Sequence, residues 1–207
     1  MEWELFERNY WKYYLRLEKE LMNILEYIEF DPANFAVYSV NLMQLLLSIG
    51  AEIDAVFKEI CKITEKDRPS ISDYAPIILA KYQKIIFQEV CVFKGEVKLT
   101  PFSGWDATQA GKTLFFWNAY NNVKHHRADM YKDASLEAVV NALAALFVLE
   151  MYRLNDIYLE CGNLPHNIPE DASKIFYLAD WTERIRTSVF KYHYRVYDDD
   201  EKREVKI

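Results

Sequence analysis

The amino-acid sequence predicts an all-α protein, a bundle of four to five main helices with a small β-hairpin or loop insertion around residues 90–111 and a short C-terminal strand. Three observations carry this. Five glycines and six prolines in 207 residues fall well below the roughly 25 that average usage would supply. So few turn-makers cannot build the many tight turns of a β-sandwich or barrel. Apolar residues recur at steps of three and four over long stretches, as amphipathic helices require. Aromatic residues make 15% of the chain, and many of them fall on those same helical stripes.

The first helix is expected from Trp3 to Ile28, with Phe6, Tyr10, Tyr13, Leu17, Leu21, Ile24 and Ile28 on its apolar side. Asp31-Pro32 reads as an N-cap followed by an N1 proline, opening a second helix that continues to Cys61 and includes Phe35 and Tyr38. Gly50 interrupts that helix at a cost of about 1 kcal/mol relative to Ala, which points to close packing or a mild bend. Ser72 is the expected cap of a third helix, which tolerates Pro76 early and runs on through Ile85, Ile86 and Phe87.

Val90 and Val92, then Val97 and Leu99, alternate around Lys94-Gly95-Glu96 as in a hairpin. A loop marked by Pro101, Gly104 and Gly111 leads to a fourth helix, Lys112 to Arg127. Ser135 caps a fifth, whose stripe runs from Leu136 to Leu154 and which stops at Gly162. Residues 172–187 read as a short helix, and the alternation from Phe190 to Val196 as a terminal strand. One domain spans residues 1–197, and residues 198–207 form a charged, frayed tail. Trp105, Tyr192 and Tyr194 fall outside the bundle pattern and are expected to wall a site or a partner surface.

A net charge of -7 argues against wrapping an extended DNA duplex, which needs a large basic surface. Cys61, Cys91 and Cys161 are odd in number and widely spaced. They suit buried thiols in a reducing compartment better than a disulfide framework or a zinc site. The acidic start, Met1-Glu2-Trp3-Glu4, is unlike a signal peptide. The longest strongly apolar stretch, Ala142 to Leu149, is far short of the ~20 residues that span a bilayer. A cytoplasmic location with no membrane partner is expected. Gly111-Lys112-Thr113 ends like a phosphate-binding loop, but Asp106 stands where its first glycine is required. The adjacent His125 and His126 lie about 100° apart on a helix and lack metal-ligand spacing. No metal or cofactor is expected.

The fourth helix carries the candidate site. Phe116, Ala119, Tyr120 and Val123 fall on one side, while Asn118, Asn121, Asn122 and His125 gather on the other. Asn121 and His125 are i,i+4 neighbours, so the amide is placed to orient the ring. Lys124, His126 and Arg127 add positive charge at the helix's C-terminal end, where the dipole favours cations. An imidazole titrating near 6.5 can move a proton at neutral pH while Lys or Arg neutralises a phosphodiester. Metal-independent ribonucleases use that combination. A solvated polar face is the plain alternative.

At these residues the chain resembles the HEPN superfamily of small helical bundles. Ser48 to Lys58 is similar to the acidic helix common in those domains, and Tyr120-Asn-Asn-Val-Lys-His125 is followed by a long Ala/Leu-rich helix. The likeness covers roughly residues 35–158. Pro101-Phe102, Trp105, Trp117 and Arg127 suit a subgroup with Trp…Tyr-Asn-x-(Val/Ile)-Lys-His-x-Arg after a Pro-Phe…Trp loop. The resemblance implies a dimerising bundle, often a metal-independent RNase of toxin–antitoxin or antiviral systems, whose Arg-Asn-x-x-x-His motif meets its copy across the dimer.

On that motif Asn121 takes the Asn and His125 the His, but Tyr120 stands where the arginine belongs. Arg127 lies about 160° from His125 on an ideal helix, so the two meet on one phosphate only across a dimer or through a kink after His125. The expected catalytic set is His125 as acid and base, Arg127 and Lys124 on phosphate, and Asn121 as orienting group. Glu52 and Asp54 are further candidates to orient His125. The implied partners are a second copy of the chain and RNA, or an antitoxin or other partner protein. A catalytically silent bundle that binds RNA, a nucleotide or a protein stays open, as does a purely structural module.

Overall fold

The computed structural model describes residues 2–63, 68–92, 97–161, 172–178, 183–185, 192–194, 196–197 and 204–205. Five main helices carry the architecture. Glu2–Phe6, a π-helical turn Glu7–Trp11 and Lys12–Leu25 run on as α1. The others are α2 (Val40–Cys61), α3 (Ile71–Lys81), α4 (Phe115–Met130) and α5 (Leu136–Cys161). α5 is the central element, fully buried along Ala142 to Leu149, and α2 lies along it.

The π turn shifts the apolar stripe of α1 by one position, because it holds one residue more than an α turn. Trp11 and Tyr14 are therefore the core residues, while Tyr10 is half-buried and Tyr13 is exposed, against the sequence expectation. α1 also stops at Leu25, short of Ile28.

Asp31 does act as a cap, accepting from the Ala33 N–H at 2.8 Å, but only for the short turn Pro32–Asn34. α2 begins later, where the Ser39 hydroxyl accepts from Leu42 N–H at 3.2 Å. Phe35 and Tyr38 lie outside that helix because the segment before it is tied to the start of α5. Tyr38 bridges Ser135, and the Phe35 and Val37 carbonyls accept from Glu137 and Leu136 N–H. The third helix is capped by Ser70, not Ser72: the Asp73 carboxylate accepts from the Ser70 N–H and hydroxyl, both at 2.7 Å. It ends at Lys81, and Ile85–Phe87 forms a separate 3₁₀ turn.

The expected hairpin is present as β1 (Val90–Val92) and β2 (Val97–Leu99), with Val90 opposite Leu99. A third strand, β3 (Phe176–Leu178), pairs antiparallel on the other side of β1, giving the order β2-β1-β3. Residues 172–187 therefore contribute strands where a short helix was expected, since β4 (Glu183–Ile185) also lies there. A buried carboxylate decides the matter for the first of them. Glu18 of α1, 2% exposed, accepts from the Lys174 and Ile175 N–H groups at 3.0 and 3.3 Å and from the Tyr14 hydroxyl at 2.9 Å. It also accepts from the Ser173 hydroxyl. These bonds pin the chain in the extended entry to β3.

The terminal strand is present as β5 (Tyr192–Tyr194), antiparallel to β4, and β6 (Val196–Tyr197) pairs with β7 (Glu204–Val205) inside the segment expected to be a frayed tail. Gly162 lies outside the described residues. Cys91 is buried and Cys61 half-buried, both as free thiols, and burial pushes the Cys61 thiol up to about 11. α2, with 22 residues and a most apolar window of mean hydropathy 1.4, has the length and composition to cross a membrane, and half of that window is buried here.

Candidate nucleic-acid interface at the end of α4

α4 follows a four-residue helical turn, Ala110–Thr113, from which it is separated by the extended Leu114. Its apolar side is the expected one: Phe116, Trp117, Ala119, Tyr120 and Val123 are all buried. Trp105 is core too, 3% exposed, its ring 5.7 Å from Phe57 and 5.4 Å from Phe102. It walls no surface. The Pro-Phe…Trp loop thus belongs to one aromatic cluster with Phe57 of α2 and Trp117 of α4.

Tyr120, which stands in the place of the motif arginine, packs directly on α2. A Cβ on Gly50 would lie 2.3 Å from its ring. The position is a helix-packing contact, and it also explains the glycine. Lys124 closes over the same ring, its Nζ donating to the Tyr120 hydroxyl at 3.1 Å and standing 5.1 Å from the ring centre. Lys124, itself exposed, is therefore engaged by Tyr120 one turn back on its own helix.

The amides are engaged as well. Asn118 Nδ2 donates to the Lys112 carbonyl at 2.8 Å, holding the preceding turn, and Asn121 Nδ2 donates to the Trp117 carbonyl at 2.9 Å. Asn122 Nδ2 donates to Asp133 at 2.7 Å, folding the turn Tyr131–Asp133 back on the helix. Asn121 does not orient His125, contrary to the sequence expectation. Its amide bonds its own helix instead.

What is left over is the end. The helix breaks at His126, whose φ of -132° and ψ of 40° are not helical, so the kink required after His125 exists. His125, His126 and Arg127 are exposed. They make no hydrogen bond or ion pair among the described residues, and the two imidazoles stand 6.4 Å apart. Lys132 lies four residues further on than Ala128, 5.9 Å from the ring of the partly exposed Tyr38.

Neither acid on α2 serves His125. Asp54 pairs with Lys58 and accepts from the Tyr74 hydroxyl at 3.3 Å. Glu52 is half-buried on the side of Arg153, and burial lifts its carboxyl above the usual range, against the pull of Arg153.

A second polar cluster lies deep in the bundle. Glu150 of α5 is fully buried. Its Oε2 accepts from Arg153 Nη1 at 3.3 Å, and its Oε1 has no partner among the described residues. Burial pushes its carboxyl up to about 8, with Glu52 adding to the rise and Arg153 opposing it. Arg153 is 9% exposed, with its guanidinium carbon 3.8 Å from the centre of the Tyr10 ring. A carboxylate directly after the apolar run Ala142–Leu149 was the available sequence signal, because Glu is almost never fully buried without a partner.

Fold and site together define a five-helix bundle with a small antiparallel sheet and an exposed His-His-Arg end on one helix. No family model, curated protein or solved structure matches the chain.

Proposed function

We propose that this protein is a HEPN-like bundle that acts on RNA as a metal-independent endoribonuclease, with His125 as acid and base and Arg127 on the phosphodiester. One observation carries the reading. The motif divides into a half bonded or packed within the fold (Trp117, Tyr120, Asn121 and the exposed Lys124) and a half, His125 to Arg127, exposed at a helix break with no hydrogen bond or ion pair among the described residues. Exposed imidazoles beside a cation suit proton transfer at a phosphate. Lys124 and Asn121 leave the catalytic set and support the helix. A homodimer would supply the second cation and the orienting group, and the setting would be a cytoplasmic defence or toxin–antitoxin system.

The test is incubation of purified protein with tRNA and with a structured RNA in EDTA. Cleavage is expected for wild type and lost in His125→Ala, with Arg127→Ala reduced at least tenfold. Equal cleavage by wild type and His125→Ala would sink the reading. A second reading, a silent bundle that binds RNA or a protein, is favoured by the same engaged Asn121, which leaves His125 with no hydrogen-bond partner among the described residues to fix its tautomer. It predicts binding without cleavage, unchanged by His125→Ala.

A further inference from the structure

Beside the exposed end of α4 stands an aromatic ring that lies outside the core. Tyr38 is 42% exposed, although the backbone around it is fixed. It bridges Ser135, and the Val37 carbonyl accepts from the Leu136 N–H at 2.8 Å. Tyr131 meets the Tyr38 ring at 5.7 Å with the planes at 87°, and no ring lies parallel to Tyr38 among the described residues. Lys132 Nζ stands 5.9 Å from the ring centre, at the outer limit of a cation–π contact, on an exposed side chain.

One turn of chain joins this ring to the α4 end. Asn122 Nδ2 donates to Asp133 at 2.7 Å, which holds Tyr131–Asp133 against the helix. His126 lies four residues beyond Asn122, about 6 Å along a helix. Asn122, Asp133, Tyr131 and Tyr38 thus form a continuous row that starts one helical turn before His126. Charge along this end is balanced. Lys124, Arg127 and Lys132 are offset by Asp129, Asp133 and Glu137, and His125 and His126 add charge only when protonated. The whole chain carries -7. Phosphate attraction, which dominates the binding of duplexes, therefore supplies little. Stacking needs no net charge, because every base has a π face. In a duplex the neighbouring pairs cover that face, and only a splayed, unpaired base offers it to a side chain.

We propose that the RNA taken at the α4 end is single-stranded, with one unpaired base stacked on Tyr38 and the adjoining phosphate beside Lys132, an inference that rests on the reading of that end as an RNA site. The fixed backbone at Tyr38 presents the ring ready placed, so little ordering is lost when a base lands on it.

Fluorescence anisotropy of the full chain with a labelled, fully 2′-O-methylated oligonucleotide tests this, since that strand binds but offers no 2′-hydroxyl for cleavage. Its duplex and the same strand with abasic sites are the comparison probes. The single strand is expected to bind at least tenfold tighter than either. Tyr38→Leu keeps the backbone bridge to Ser135 and much of the apolar volume, and should weaken binding by about tenfold with the helical circular dichroism unchanged; Tyr38→Trp should preserve it. No binding of the single strand, a duplex or abasic strand bound as tightly, or a folded Tyr38→Leu protein binding as wild type would each overturn the proposal. Unchanged RNA binding with lost self-association in Tyr38→Leu would overturn it too, assigning the ring, with the exposed Val37 and Val40, to a protein contact. Catalysis is read separately on the unmethylated strand. Tyr38-dependent binding without cleavage there counts against the ribonuclease and for the stacking site, whereas cleavage undiminished by Tyr38→Leu counts for the ribonuclease and against the stacking site.

Discussion

The ring of Tyr120 occupies the space that a side chain at Gly50 would need, with Cδ2 2.3 Å from where that Cβ would stand. At this contact α2 and α4 approach too closely for any side chain at position 50. The contact gives one physical reason for two oddities of the sequence, a glycine inside a long helix and a tyrosine in place of the motif arginine.

Gly50→Ala is therefore expected to destabilise the protein, although alanine is the better helix former by about 1 kcal/mol. Overpacking against a buried ring typically costs about 1–3 kcal/mol, equivalent to a fall in Tm of about 2–4 °C per kcal/mol at this size. Thermal denaturation checks it. Combining Gly50→Ala with Tyr120→Leu should recover part of the loss. Tyr120→Arg, which restores the motif residue, should also lower Tm, because its guanidinium would be buried against α2 with no carboxylate shown beside it.

Stability separates the two halves of the motif. His125→Ala and Arg127→Ala are expected to change unfolding free energy by less than about 0.5 kcal/mol, as exposed positions without partners do. Lys124→Ala loses a hydrogen bond and a cation–π contact to Tyr120, with an expected cost of about 1 kcal/mol. Urea unfolding of the three variants distinguishes them; a large loss in His125→Ala would place that residue in the packed half.

Glu18→Ala removes the acceptor shared by the Lys174 and Ile175 N–H groups and the Tyr14 and Ser173 hydroxyls. Leaving such donors unpaired costs about 3 kcal/mol. Amide exchange should accelerate first at Lys174, Ile175 and the strand they introduce, ahead of α5.

Glu150 makes stability depend on pH. Its folded value near 8 lies above the ~4.3 of a free glutamate, so the folded chain holds the proton more tightly than the unfolded one. The stabilisation from this group is full below about pH 4.3 and lost as pH rises to about 8, a loss on the order of a few kcal/mol. Glu52 acts in the same direction. Glu150→Gln should flatten the profile and raise Tm at pH 8 more than at pH 5. An unchanged slope would mean that the carboxyl is ionised in the fold.

Periodicity located the main helices, because those around α5 bury one stripe each and a stripe is a local pattern, while α5 was marked by its long apolar run. The caps were less legible. Ser39 and Ser70 resemble Asp31 and Ser72 in sequence, and only the pairing of Tyr38 with Ser135 and the reach of Asp73 back to Ser70 decide among them. Around the π turn of α1 the stripe was misread, with Trp11 and Tyr14 buried in place of Tyr10 and Tyr13, while Leu17 and Leu21 are buried as expected. The polar face of α4 was visible, but its division was not: Asn121 and His125 look alike as i,i+4 neighbours until the carbonyl of Trp117 claims the amide.

What the sequence alone determined was the helical class, the hairpin near residue 90 and the buried face of α4, all set by local spacing and residue volume. Tertiary structure alone decided the strand fate of residues 176–178, the structural use of Tyr120 and Lys124, and the burial of Glu150 beside Arg153. The reason is the same in each case. These features depend on hydrogen-bond acceptors, rings and excluded water supplied by residues distant in sequence, and no local pattern records which partner the fold will bring.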